Sequence, residues 1–408
     1  MAVLTPRRMA PRDTGRPQQG SWPLARPSAS APHRLPGADA LRALAAVAVV
    51  VIHASYWPAQ SHGAERSVWG TVTLLARFAV PAFVLLAGLV LGFRHGGRRL
   101  GPDFLLRRAR RSLLPWLIWA PVFCLADLVW VGTVSPSWSS VRDFFATGAG
   151  HLYFLVLVPQ LYVLLLLWPS RRRPLAAVTG LAVAVQVALS AVRLFVPLGS
   201  GALHQLMLTY GYELFPFWIG YFALGVVAGR WLAGRRGRGL PAWPFAALVP
   251  VTAGLVLWND VRGAANGSFA QGTGAFLRPL MLPFALAVCG AVIFGAPRLL
   301  DRAPRLQRVT GALSRHSLGV YVIHPLLLTA LGRLVMRPLR WHLPGSILTF
   351  LAITLGSLLG ALLVSVLLAR TPLALTIGEE RVRRRARHDG GRELLGRREA
   401  REEPAAAR

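Results

Sequence analysis

Apolar stretches of about twenty residues recur along this 408-residue chain, and they leave few folds open. At 1.5 Å per residue, a helix of that length matches the roughly 30 Å hydrocarbon thickness of a bilayer. Short of a closed barrel, only helices satisfy every backbone group over such lengths in lipid. Ten spans are expected, at about 40–57, 69–93, 112–132, 150–168, 174–196, 212–231, 241–259, 275–295, 313–334 and 346–369. The fold class is therefore all-α, a polytopic membrane bundle of about ten transmembrane helices. A hydrophobic content of 54% and a mean hydropathy of +0.48 exclude an ordinary soluble protein. The length alone would fit two or three soluble domains, but here the spans take up nearly all of it.

The net charge is +30, carried by arginine alone because the chain has no lysine. Charge of this size can signal nucleic-acid binding. Its distribution argues otherwise. With the N-terminus inside, thirty-five arginines fall in inner segments and five in outer loops. That asymmetry is the positive-inside pattern, and it places both termini in the cytoplasm of a multi-pass plasma-membrane protein. Membrane lipid is the expected partner, and nucleic acid is not. The missing lysine, with abundant Ala, Gly and Pro, suggests a GC-rich bacterial genome. Cys124 and Cys289 fall inside spans and carry neither disulfide nor metal spacing, so no metal site is expected. Residues 1–37 read as a disordered basic tail, 38–370 as the membrane domain and 371–408 as a charged tail.

The polar residues within the spans are the candidates for function, because such residues are costly in lipid. Arg42 and His53 stand eleven positions apart, with only Ala, Val, Leu and Ile between them. Eleven residues make about three turns, so both point one way, roughly 16 Å apart along the axis. Asp39 caps the same helix one turn before Arg42. An imidazole with an ordinary pKa near 6.5 suits a general base. In "SRHSLGVYVIHP", Ser314, Ser317, Tyr321 and His324 share a helical face, and His324 should lie at the depth of His53. Pro325 is expected to bend that helix. Asp127, deep in the third span, is a candidate ionic partner for Arg42 or Arg77.

"FLLRRARRSLLPW" holds two overlapping Arg-x-x-Arg pairs, Arg107 with Arg110 and Arg108 with Arg111. Each pair shares a helix face and suits a phosphate or pyrophosphate. Attraction to anionic lipid headgroups is the simpler use of the same charges. His151 and Tyr153, in "GHLYFLVLVPQLY", and Glu213, in "YGYELFPFWIGY", are candidates for an outer mouth that admits a polar acceptor. Gly225/Gly229 and Gly356/Gly360 have the spacing of helix-packing pairs.

With these segments in place, the chain resembles membrane acyltransferase family 3, the integral-membrane O-acyltransferases of bacterial polysaccharides and antibiotics. The resemblance runs in order through "DALRALAAVAVVVIHA", "RFAVPAFVLLAGLVLGF", "FLLRRARRSLLPWLIW", "HLYFL", "GYFALGVVAG" and "SLGVYVIHP". Ala87 stands where the family's second-span motif has serine. The resemblance implies O-acyl transfer, with acetyl the default, from acyl-CoA as co-substrate to a carbohydrate hydroxyl. It implies no tightly bound cofactor. His53 matches the family's catalytic histidine, Arg42 its partner, and Arg107, Arg108, Arg110 and Arg111 the acyl-CoA-binding stretch. Asp39, Ser317, Tyr321 and His324 would support catalysis or line the cavity. The competing expectation is a polysaccharide-export protein without acyl transfer.

Overall fold

The computed structural model describes residues 35–60, 68–96, 100–167, 172–195, 206–207, 209–235, 239–265, 277–336 and 347–379. These residues form helices and no strand. In chain order the helices are α1 (Pro36–Gln60), α2 (Val68–Ala76), α3 (Ala79–His95), α4 (Pro102–Ala126), α5 (Trp138–Ala146) and α6 (Tyr153–Leu164). They continue with α7 (Arg172–Phe195), α8 (Ile219–Gly234), α9 (Trp243–Ala265), α10 (Met281–Arg302), α11 (Pro304–Arg315), α12 (Ser317–Ala330) and α13 (Ile347–Leu368). Among the described residues, nine helical segments are long and apolar enough to cross a membrane, and α8 is a shorter apolar helix. The two expected tails lie mostly outside the described residues, at 1–34 and 380–408.

The interior is built around α1, which packs against α2, α3 and all of α10 to α13. Its span is 61% buried inside the protein, whereas that of α9 is 11% buried. The α9 surface therefore faces lipid, and α1 faces protein on nearly every side. The apolar run after Arg42 contributes to the core, with Ala45, Ala46 and Val50 enclosed.

Proline and glycine set the breaks. The second span divides at Arg77–Phe78 because Pro81 has no amide to give the Arg77 carbonyl. α4 starts with Pro102, whose missing donor costs nothing at a helix start. It ends in a π turn, Asp127–Val131, closed by Gly132 at φ 82°. Asp127 is not the partner of a buried arginine. Its carboxylate accepts from Thr133 Oγ1 and from the Val134 amide, each at 2.6 Å, and so stabilises the loop after α4. Its position at a helix end, where backbone donors stand close by, decides this role.

The face expected to carry Ser314, Ser317, Tyr321 and His324 on one helix is divided. α11 ends at Arg315, and α12 starts at Ser317 after a turn at His316. α11 is a largely exposed helix carrying Arg305 and Arg308 beside exposed Leu306 and Val309. The segment Pro372–Ile377, expected at the start of a charged tail, is a 3-10 turn that packs on α4, α12 and α13. Trp119 Nε1 donates to Thr376 O at 2.9 Å, and His316 Nδ1 meets Glu379 Oε1 at 2.9 Å. Burial raises the Glu379 pKa above the ordinary carboxylate value, and the His316 contact opposes that rise.

The tightest helix pair is α3 with α8. A Cβ on Gly88, Gly92, Gly225 or Gly229 would stand within 2.2 Å of the carbonyl oxygen of Phe222, Val226, Leu85 or Leu89, respectively. The two backbones therefore touch over about two turns, and no side chain fits between them. At Gly356 and Gly360 the neighbours are leucine side chains at 3.2 and 3.0 Å, which have room to yield. We expect Gly229→Val to destabilise the protein by at least the roughly 1–3 kcal/mol typical of overpacking. Gly360→Ala should cost far less, and thermal unfolding in detergent distinguishes the two. Equal melting temperatures for the two variants would contradict this packing.

Candidate functional site

Two polar centres lie along α1, one at each end of its apolar run. The first is where Asp39 and Arg42 meet α11. Arg42 Nη1 donates to Asp39 Oδ1 at 3.3 Å and to Ser314 Oγ at 3.3 Å. Ser314 Oγ donates in turn to Asp39 Oδ1 at 2.9 Å. The triangle ties α1 to α11 and orients the guanidinium.

The triangle borders a cavity of about 330 Å³, lined by Arg42, Arg94, Arg108, Arg111 and Arg315 around one carboxylate, Asp39. Leu35, Ala38, Val90, Phe93, Gly311 and Ser314 supply the rest of the wall. Five guanidinium groups against one carboxylate make this an anion site by charge alone. The two Arg-x-x-Arg pairs separate here. Arg108 and Arg111 enter the lining, while Arg107 and Arg110 are exposed and outside it. The helical offset explains this, since consecutive residues lie about 100° apart around the axis. The Arg108 guanidinium also stands 5.4 Å from the Phe104 ring centroid and 5.9 Å from that of Tyr162, within cation–π range.

Arg94 and Arg315 were legible only as topological charge and as the end of a span. Their shared signal was position, because both close a helix at the end of the bundle where the Arg-x-x-Arg helix begins. Ser314 is separated from Ser317 by the break at His316. Ser317 is buried at the start of α12, outside the cavity lining.

The second centre is a trio of imidazoles. The His53 ring centroid lies 5.1 Å from that of His324 and 6.1 Å from that of His151, and the latter two lie 5.9 Å apart. His324 is fully buried on α12, and its Nδ1 lies 2.9 Å from Val320 O. Its own carbonyl accepts from Ser357 Oγ at 3.0 Å. The Nε2 atoms of His151 and His324 are buried without a hydrogen-bond partner among the described residues. His151 was expected at an outer mouth. The structure instead places it beside His53, because Gly148, Ala149 and Gly150 all take positive φ and turn the chain inward ahead of α6. The Tyr321 hydroxyl donates to His151 O and holds that turn against α12. Among the described residues, no group of three or more His, Cys, Asp or Glu is arranged to hold a metal ion.

Tyr153 follows His151 by two residues, and Glu213 meets it at Gly148. The Tyr153 ring lies 5.9 Å from that of Tyr212 and 6.4 Å from that of Trp218. A Cβ on Gly148 would stand 2.7 Å from Tyr153 Cα and 3.3 Å from Glu213 Cδ, so the glycine keeps these groups close. Gln160 Nε2 donates to Glu213 O at 2.7 Å and joins α6 to the turn that carries Glu213. Two other arginines within spans have partners. Arg278 bridges to Asp260, and Arg193 Nε donates to Met207 O at 3.3 Å.

Together these features define a membrane protein with a basic anion cavity at one end of its central helix and a buried cluster of bases further along. A protein-family model for an acyltransferase domain matches residues 35–370. The chain belongs to acyltransferase family 3 and is a membrane acyltransferase. No curated protein and no solved structure matches it.

The Ser314 hydroxyl both accepts from Arg42 and donates to Asp39, so its removal should weaken the α1–α11 junction. We expect Ser314→Ala to cost about 1 kcal/mol, the usual net worth of a hydrogen bond. A cycle with Asp39→Ala should give a coupling of about 0.5 kcal/mol or more, read from thermal unfolding in detergent. Strict additivity of the two changes would show that the triangle carries no energy.

Proposed function

We propose that this protein transfers an acyl group, acetyl by default, from acyl-CoA to a hydroxyl of a carbohydrate, a cell-surface glycan or an antibiotic sugar. The observation that carries the reading is the pair of centres on one helix. A basic cavity surrounds Arg42, and a half-buried base, His53, stands three turns further along α1. The helix separates them by about 16 Å. A coenzyme A thioester has the matching form, with phosphates at one end and its reactive carbonyl at the far end of a flexible arm.

In this reading Arg108 and Arg111, with Arg94 and Arg315, hold the phosphates. Arg42, held by Asp39 and Ser314, marks the inner limit of the charged zone. His53 accepts the hydroxyl proton as the oxygen attacks the thioester carbonyl, and then returns it to the departing thiolate. Alignment of the two reactants within the bundle supplies much of the acceleration. Tyr153 and Glu213, beside the imidazole trio, are suited to the acceptor, because aromatic rings and a carboxylate are groups that bind sugars. The arginine-lined end faces the cytoplasm of the plasma membrane, where acyl-CoA is available, and both termini lie on that side.

The test is thiol release from acetyl-CoA by the full-length protein in detergent, with methyl glycosides offered as alcohols. His53→Ala should lower turnover by about a hundred-fold or more. Arg108→Gln and Arg111→Gln should each raise the KM for acetyl-CoA about ten-fold, as expected for loss of a charge-assisted contact. Arg107→Gln should leave KM nearly unchanged, since Arg107 is exposed and outside the cavity. Unaltered turnover in His53→Ala, at wild-type melting temperature, would refute the role given to that histidine.

A further inference from the structure

The proposed base has a close neighbour whose protonation form is dictated by its surroundings. His324 Nδ1 stands 2.9 Å from Val320 O, and a carbonyl oxygen only accepts. Nδ1 therefore carries the hydrogen, and the neutral ring has a bare lone pair at Nε2. That atom is buried without a partner among the described residues, in a side chain with no exposed surface. A buried acceptor left unmet costs stability, so such a group normally has a use.

The ring has little freedom to look elsewhere. Ser357 Oγ donates to the His324 carbonyl at 3.0 Å, and Pro325 follows directly in α12. The nearest of the neighbouring aromatic rings that carries an N–H is His53, at 5.1 Å between centroids; His151 follows at 5.9 Å. At 5.1 Å between centroids, two imidazoles turned edge to edge have ring nitrogens within hydrogen-bond reach.

We infer that His324 is the positioning residue for His53, accepting one His53 N–H at its bare Nε2 so that the other His53 nitrogen faces the alcohol. The inference rests on His53 being the base of the acyl transfer proposed above. It assigns to a neutral imidazole the part that a carboxylate plays in a catalytic triad. The alcohol O–H bond breaks and its proton passes to the free nitrogen of His53. A C–O bond forms at the thioester carbonyl, the C–S bond breaks, and the thiolate takes that proton back. His324 keeps its own proton throughout and stabilises the transient His53 imidazolium by accepting its second N–H. The other titratable groups near the pair are His151 ahead of α6 and Arg77 between α2 and α3, both close to His53, and Tyr321 on α12, 6.5 Å from His324 between ring centroids.

The experiment compares His324→Gln, whose Oε1 can still accept, with His324→Leu, which fills space without an acceptor. Full-length protein in detergent is assayed for thiol release from acetyl-CoA, with methyl glycosides as alcohols, across a range of pH. His324→Leu should lower kcat about ten- to a hundred-fold with little change in the KM for acetyl-CoA. Its acid limb should move to lower pH, because the group that favoured protonated His53 is gone. His324→Gln should restore most of kcat and the wild-type limb. In histidine-labelled protein in bilayers, solid-state 15N spectra should contain one Nδ1–H, bare-Nε2 ring that disappears in both variants. The inference is overturned if the acid limb stays fixed in a folded His324→Leu protein, if Gln and Leu are equally impaired, or if the ring proves to be protonated at Nε2. Activity surviving in His53→Ala would instead overturn the base assignment, and the 15N result would stand apart from that failure.

Discussion

The structure turns on the cost of placing a guanidinium within a membrane-spanning helix. On insertion scales an arginine at the centre of a span costs about 2.5–3.5 kcal/mol, and the cost falls toward the interface. Arg42 meets this cost in three ways. It stands within the first two turns of α1, near the interface. Asp39 and Ser314 accept its hydrogen bonds. α1 itself is enclosed by α2, α3 and α10 to α13, so the guanidinium faces a protein-lined cavity and not acyl chains. Each of these needs the others, since a cavity lined by five arginines forms only where helices from distant parts of the chain converge on α1.

That convergence depends in turn on close packing elsewhere. The backbone contact of α3 with α8 at Gly88, Gly92, Gly225 and Gly229 fixes α3 against a rigid neighbour. Arg94 lies two residues beyond Gly92, the last of these α3 glycines, and is carried into the cavity wall. On the other side, the 3-10 turn Pro372–Ile377 holds α4 through Trp119, so Arg108 and Arg111 face Arg94 across the cavity. Each clamp reaches the backbone of one cavity residue, Gly229 at Phe93 and Gly378 at Arg111, and so helps set the spacing of the charges.

Much of this could be read from the residues, and what could not has physical causes. The spans were visible because lipid demands long apolar helices, and the spacing of Arg42 and His53 follows directly from helical geometry. The break at His316 was hidden, because Ser314, Ser317, Tyr321 and His324 also fit an unbroken helix. Only tertiary contacts, including the bond from His316 to Glu379, distinguish the two cases. Asp127 looked like a counter-ion by its depth in the sequence, but the Thr133 hydroxyl and the Val134 amide were nearer claimants. His151 was misplaced for a different reason. Three consecutive residues with positive φ redirect the chain at 148–150, and Ala149 gave no sign that it would adopt that geometry.

The division of labour along α1 also has an electrostatic logic. Permanent cations sit at the end of the bundle where water and counter-charge are close, so their solvation is only partly lost. Deeper in, the polar groups are imidazoles, which can be neutral near pH 7 and thus be buried without an ionic partner. A carboxylate at the same depth would need a buried cation or would have to hold its proton, and in either state it would be a poorer base. The thioester and alcohol of the proposed reaction are both uncharged at the reacting atoms, so neutral imidazoles do not repel them. In the proposed transfer the positive charge on His53 is brief, and the bare Nε2 of a neighbouring ring can accept its second N–H.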